Sequence, residues 1–369
     1  MYGSGVHGPT HYTSAAGCRL TTAEGAELVD FTMALGSVAL GYADPEVTEA
    51  VIAAARSGSI AALPHTLEVT VAEQLQAAVP RAEQVRFLKS GAEAVAAAVR
   101  IARTHTGRDH ILCCGYFGWL DWSSDAAGVP PATRALCTRI PFGDIDAARE
   151  AAVGVRNNLA AIVIEPVIER MAPVEWLHAL RELCDELGAL LIADEIKTGF
   201  RVHTAGALTR QGIHPDLLVF GKALANGYPL AVVAGRASVM QAAQRTWISS
   251  TLACETTALA AASAVLARHA REDVCGRLSA IGTAMRAGVE RALAAGAGGG
   301  VRSEGIAPMW FLRFESESRE ANVLAHARSS GVLLKRGAYN FASLAHDDAA
   351  LTELEQALEA AFAVEAPHA

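Results

Sequence analysis

The chain has 369 residues, of which 51% are hydrophobic and 19% charged, so it can fill a large core and is not a disordered polymer. A formal net charge of −8 offers no basic surface for nucleic acid or an anionic membrane. The seven cysteines make no CxxC pair, and their odd number in a long chain argues against a disulfide framework.

Residues 1–17 are rich in Gly, Ser, Thr and His and read as an irregular arm, without a basic and then apolar secretory leader. No apolar segment reads as a membrane span, so a cytoplasmic protein is expected. Short strands are expected at 18–20 and 27–31, around a turn at Glu24-Gly25. Asp44-Pro45-Glu46 supplies an N-cap, a first-turn proline and an acid, and its helix runs towards Arg56. An amphipathic helix over 67–79 stops at Pro80. The strand 84–88 runs into Ser90-Gly91-Ala92-Glu93 and a strongly apolar helix, and such a strand, turn and helix start can bind an anion or be an ordinary cap.

The strand 111–114 ends at Gly115-Tyr116-Phe117-Gly118-Trp119, an aromatic cluster suited to stacking on a flat ring or to the core. The strand 161–164 ends at Glu165-Pro166, and a helix follows over 175–188. Two apolar runs, 189–193 and 217–220, have the content of buried strands. They end on Asp194 and on Gly221-Lys222. In open α/β sheets ligands bind at the carboxyl ends of strands. A lysine there can form a Schiff base with an aldehyde cofactor, and an acid can pair with a pyridinium nitrogen. Beyond a strand at 232–235, helices are expected after Ser250-Thr251-Leu252 to about His269 and over about 274–294, followed by a glycine-rich connection at 296–300. Strands at 310–314 and 332–334 and helices at 321–329 and 347–362 complete the chain. This alternation implies a mostly parallel sheet flanked by helices, plus a small α+β domain. The expected division is an N-terminal segment 1–45 that joins the small domain, a large α/β domain 46–250, and a C-terminal part 251–369.

Several segments in order resemble one family. They are Leu35-Gly-Ser…Gly41-Tyr-Ala-Asp-Pro, Phe87-Leu-Lys-Ser-Gly-Ala-Glu, Tyr116-Phe-Gly-Trp, Ile164-Glu-Pro-Val, the run 190–227, Thr251-Leu252, and Tyr339-Asn-Phe…Ser343-Leu-Ala-His346. The chain resembles the class III (subgroup II) aminotransferases, pyridoxal phosphate (PLP) enzymes of fold type I, and most of all the glutamate-1-semialdehyde 2,1-aminomutase branch. The resemblance implies that Lys222 forms the Schiff base and then shuttles the proton. It implies that Asp194 keeps the pyridine nitrogen protonated, that Ile196 packs on one face of the ring and that Tyr116 stacks on the other. Ser90, Gly91 and Ala92 would bind the phosphate, Phe117 and Glu165 would belong to the cofactor pocket, and Thr251 would reach the phosphate from the neighbouring subunit of a homodimer. Glu195 and Lys197 are expected to point away by strand alternation. No metal site is expected.

The sequence also departs from the family's pattern. Ala92 stands where threonine is common, Lys89 where asparagine is usual, and Phe117 replaces a histidine. Glu169-Arg170 occupies the position of an asparagine near the ring hydroxyl, and no arginine precedes Arg19, whereas the aminomutases use an early arginine for the substrate carboxylate. Arg170, Lys335 and Arg336 are candidates for a substrate anion or are solvated charges. The expected activity is an aminotransferase acting on an amino donor and a small carbonyl acceptor. The alternatives are an aminomutase, a racemase or epimerase, or a non-enzymatic PLP-binding regulator.

Overall fold

A computed structural model describes residues 11–295 and 299–364. The chain forms two compact units, Glu49–Glu272 and, together, Met1–Thr48 with Asp273–Ala369.

The larger unit is built on one sheet. Its strands are β1 (Gln84–Leu88), β2 (His110–Cys114), β3 (Cys137–Arg139), β4 (Leu159–Ile164), β5 (Leu190–Asp194), β6 (Leu217–Phe220) and β7 (Ala231–Gly235), in the spatial order β1-β7-β6-β5-β4-β2-β3. Only β7 is antiparallel to its neighbours β1 and β6, so the other strands all point the same way. Strands β2, β4, β5, β6 and β7 are buried along their whole length, which is why they read as unbroken apolar runs rather than alternating ones.

Helix α1 (Gly91–Thr106) follows β1 directly and opens with a capping box between Ser90 and Glu93. Its alanine- and valine-rich face lies in the same buried cluster as Leu88, Ile111 and Val219. Helix α2 (Val174–Leu187) packs on β5 through an amphipathic face containing Trp176, Leu177, Leu180 and Leu183. Helix α3 (Thr256–Arg271) packs on the helix Thr66–Ala78 and on the 3₁₀ turn Lys222–Ala225. The boundary expected at 250 thus differs from the structure, because the small-residue face Ala258, Ala260, Ala261 and Ala262 of α3 is buried within the larger unit.

In the smaller unit Tyr12–Ala16, Arg19–Thr22 and Glu27–Asp30 form an antiparallel meander, with Val332–Leu333 added in parallel. The irregular arm expected over 1–17 lies outside the described residues up to residue 10. From Tyr12 it is a strand, exposed at most positions, so no hydrophobic period reveals it. Residues 296–298 of the expected glycine-rich connection also lie outside the described residues. A second sheet joins Val301–Ile306, Met309–Phe314 and Asn340–Phe341. The tail motif serves as an anchor here. The His346 ring stacks on Phe31 at 4.6 Å, its Nδ1 accepts from the Ser343 amide at 3.0 Å, and Nε2 donates to the Asp30 carbonyl at 3.1 Å.

Candidate active site

The parallel strands carry their chemistry to one edge of the sheet. β1 ends at Lys89-Ser90-Gly91, β2 at Gly115-Tyr116, β4 at Glu165, β5 at Asp194, and β6 at Gly221-Lys222. β5 and β6 are neighbours in register, with Asp194 opposite Val219, three residues before Lys222.

Asp194 is 3% exposed, and its Oδ1 accepts from the Ile196 amide at 3.0 Å. Burial pushes the carboxyl up to about 8, and the nearby Glu165 charge adds to the effect. The Ile196 amide and the charges of Lys222 and Lys197 pull the other way without restoring it. A buried acid in this state has room for one more positive partner, such as a pyridinium nitrogen. Lys222 opens the 3₁₀ turn with φ +46, a left-handed conformation that costs a non-glycine residue about 1–3 kcal/mol and is typical of functional positions. Burial, first, and the Lys197 charge depress the basicity of its amine.

Ile196 touches both sides of the site. A Cβ on Gly91 would lie 2.6 Å from Ile196 Cδ1, and one on Gly221 would lie 3.6 Å from Ile196 Cγ2. Glycine at 91 therefore lets the start of α1 approach the turn after Asp194. The first-turn amides of Gly91 and Ala92 have no acceptor in the preceding turn, as at any helix start, and they point their partial positive charge outward. A flat ring bearing an anionic tail fits these residues. Its tail would meet the start of α1, its face Ile196, its nitrogen Asp194 and its aldehyde Lys222.

The Ser90 hydroxyl is committed elsewhere. It donates to Glu93 Oε2 at 2.9 Å and caps the Glu93 amide at 3.3 Å, so it serves the helix. Tyr116 is 74% exposed, and its amide donates to Glu165 Oε2 at 2.8 Å. Phe117 is a correction to the expected pocket. It is 2% exposed and packs on Trp122 with ring centroids 5.4 Å apart, because the chain turns the residue after Tyr116 into the core. Thr251 lies exposed in the turn before α3, and among the described residues it makes no hydrogen bond to the other candidates. Arg170 sits over the Phe142 ring at 5.4 Å, and Arg336 lies 3.5 Å from Glu320 and 3.7 Å from Glu317. Both arginines are thus engaged on the protein's own groups.

Two residues that sequence reasoning set aside or missed belong to the site. Lys197 does not point away, for its Nζ pairs with Glu165 Oε1 at 2.9 Å. Strand alternation fails here because β5 ends at Asp194 and the chain turns, with the Thr198 and Gly199 amides donating to the Glu195 carbonyl. The Thr198-Gly199 pair was the available signal for that turn. Arg201 is fully buried and contributes positive charge towards Lys222. Glu195, by contrast, is structural as expected. It is fully buried and accepts from the Ala207 and Leu208 amides at 2.8 and 2.9 Å. Among the described residues no group of His, Cys, Asp or Glu side chains is placed to hold a metal ion, and no helix is long and apolar enough to cross a membrane.

A family model for class III aminotransferases matches residues 2–118 and 145–362. Glutamate-1-semialdehyde 2,1-aminomutase of Roseiflexus castenholzii is 33% identical over 382 residues, covering 94% of this chain and 88% of that protein. 3-Aminobutyryl-CoA aminotransferase of Cloacimonas acidaminovorans is 31% identical, covering 77% of this chain and 70% of that one. Among solved structures, the FumI protein of Sphingopyxis sp. MTA144, in its PLP internal aldimine form, superposes with a TM-score of 0.92 at 29% identity, covering 96% of this chain and 88% of its own. The match runs through the strand ends that carry Lys222, Asp194, Glu165 and Gly91, and the chain belongs to the class III aminotransferase family.

Proposed function

We propose that this class III aminotransferase moves an amino group between a small amino donor and a small carbonyl acceptor, with Lys222 and Asp194 as its catalytic residues. The observation that carries the reading is a strained, half-buried lysine just past the end of one parallel strand beside a buried acid at the end of its neighbour. The cofactor is PLP, which supplies an aldehyde for the amine and a ring that accepts electrons from the substrate carbon. Lys222 would bind the aldehyde through its amine and, once freed, would carry a proton at Nζ. Asp194 would hold the ring nitrogen protonated, Ile196 would support one ring face and Tyr116 would cover the other, and the amides of Gly91 and Ala92 would hold the phosphate. Pre-set charge of this kind needs no rearrangement as the reaction proceeds.

An aminomutase is the second reading, favoured by the Roseiflexus relative. Against it stands the fate of Arg19, the first arginine of the chain, which pairs with Glu27 at 3.0 Å and with Glu353 at 2.5 Å. An arginine tied in this way does not offer itself to a substrate carboxylate. The reading also includes a cytoplasmic homodimer. Tyr116, Trp119 and Leu252, the last next to Thr251 in the chain, are 74%, 77% and 53% exposed, which supports a partner surface.

Lys222→Ala abolishes turnover and the visible absorbance of lysine-bound PLP. Turnover at the wild-type rate in that variant overturns the assignment. An amino-donor screen read by the same absorbance separates transamination, where a donor alone converts the cofactor stably, from an intramolecular reaction, where it does not.

A further inference from the structure

The turn after Asp194 brings a second lysine to the same edge of the sheet. Lys197 and Glu165 form an ion pair at 2.9 Å, with only 13% and 11% of their side chains exposed. The second Glu165 oxygen accepts from the Tyr116 amide at 2.8 Å. One carboxylate thus ties the turn after β5 to the aromatic loop after β2. Gly115 admits it, since at φ +137 a Cβ there would lie 2.8 Å from Glu165 Cγ.

The charges that face Lys222 are Lys197, Asp194, Glu165 and Arg201. Arg201 does not lose its proton in a protein, and Glu165 lies in an ion pair with Lys197. A further cation at Lys222 is disfavoured in that company, and burial acts in the same sense.

We propose that Lys197 is a positioning residue for the reaction, holding Tyr116 in place through Glu165 and setting a fixed positive charge beside the Lys222 nitrogen, which must give up its proton to attack. The proposal rests on the aminotransferase reading, because only there does the Lys222 nitrogen have this task.

The test is a pH titration of the visible absorbance of the holoenzyme, in which PLP is bound to Lys222. Lys197→Met moves the midpoint up by about 1 pH unit, and the acid limb of kcat/KM moves with it. Glu165→Gln moves the midpoint down, because the Lys197 charge then lacks its counter-ion, and Lys197→Arg returns it to the wild-type value. Lost packing alone lowers activity without moving midpoints in opposite directions. An unchanged midpoint in Lys197→Met, or shifts of the same sign in Lys197→Met and Glu165→Gln, overturns the proposal. If Lys197→Met does not fold, Glu165→Gln decides, and an upward or absent shift overturns it. A wild-type protein that shows no lysine-bound PLP sinks the functional reading itself, which keeps the two failures apart.

Discussion

Two aspartates at opposite ends of the same pair of strands are almost equally buried, Asp194 at 3% and Asp216 at 4% exposure. Asp216 stands before β6, and the chain supplies its partners. The Arg181 guanidinium and the Leu191 amide each donate to its Oδ2 at 2.8 Å, and Arg236 pairs with its Oδ1. Asp194 stands at the end of β5 with the Ile196 amide on Oδ1, another acid nearby, and a carboxyl pushed up to about 8. The first acid is completed by the chain and braces the sheet. Burial and a neighbouring acid act against the charge of the second, and the proposed ring nitrogen would offset both, as expected of a binding acid rather than a structural one.

Exchanging each acid for its amide breaks or sharpens this contrast. Asp194→Asn removes the group proposed to keep the ring nitrogen protonated, and turnover is expected to fall by about 10²–10³-fold in steady-state assays. Its effect on the cofactor-stripped protein has the opposite character. The folded-state carboxyl ionises at higher pH than the unfolded one, so wild-type stability from this group is complete at low pH and is lost as the pH rises through about 8. Asp194→Asn therefore gains stability relative to wild type from pH 4 towards pH 8 in denaturant titrations of the stripped proteins. A gap that shrinks with rising pH contradicts the assignment. Asp216→Asn leaves Arg181 with a broken pair and costs about 3 kcal/mol in the same titrations, while the absorbance of bound PLP stays in place.

The sheet was legible because its strands are buried on both faces and so stand as apolar runs, each ending at a residue of different chemistry. Asp194, Lys222 and Gly91 were legible for the same reason, since their placement follows from where a strand stops. Lys197 was not, because its direction depends on the chain turning within one residue of Asp194, and alternation assumes the strand goes on. Phe117 was misplaced for a related reason. Neighbours in a loop share no fixed rule of sidedness, so Tyr116 lies at the surface while Phe117 joins the core. Arg170 read as a candidate for a substrate anion because charge is visible in a sequence, whereas the Phe142 ring beneath it belongs to a segment 28 residues earlier. Arg170→Ala is expected to cost about 0.5–1 kcal/mol of stability and to leave KM for the donor unchanged.

Ser90 carries the smallest well-defined effect at the site and tests how the phosphate end is built. Its hydroxyl faces Glu93 in a reciprocal cap, with the Ser90 amide donating to Glu93 Oε2 at 2.9 Å and the Glu93 amide reaching the Ser90 oxygen at 3.3 Å. The hydroxyl therefore holds the first turn of α1 in shape, and the proposed phosphate contact falls to the amides of Gly91 and Ala92. Ser90→Ala costs about 1 kcal/mol of stability by denaturant titration, the usual worth of an N-cap. PLP affinity, read by equilibrium dialysis, falls only as far as the first turn frays, and Ser90→Asp, which keeps a cap acceptor while adding negative charge next to the phosphate, separates the two contributions. If the backbone amides hold the phosphate, the aspartate variant keeps the helix and loses affinity by electrostatic repulsion, whereas Ser90→Gly, which keeps much of the cap's worth without any hydroxyl, retains affinity close to wild type. A large affinity loss in Ser90→Gly with an unchanged unfolding transition assigns the hydroxyl to the phosphate and removes it from the cap.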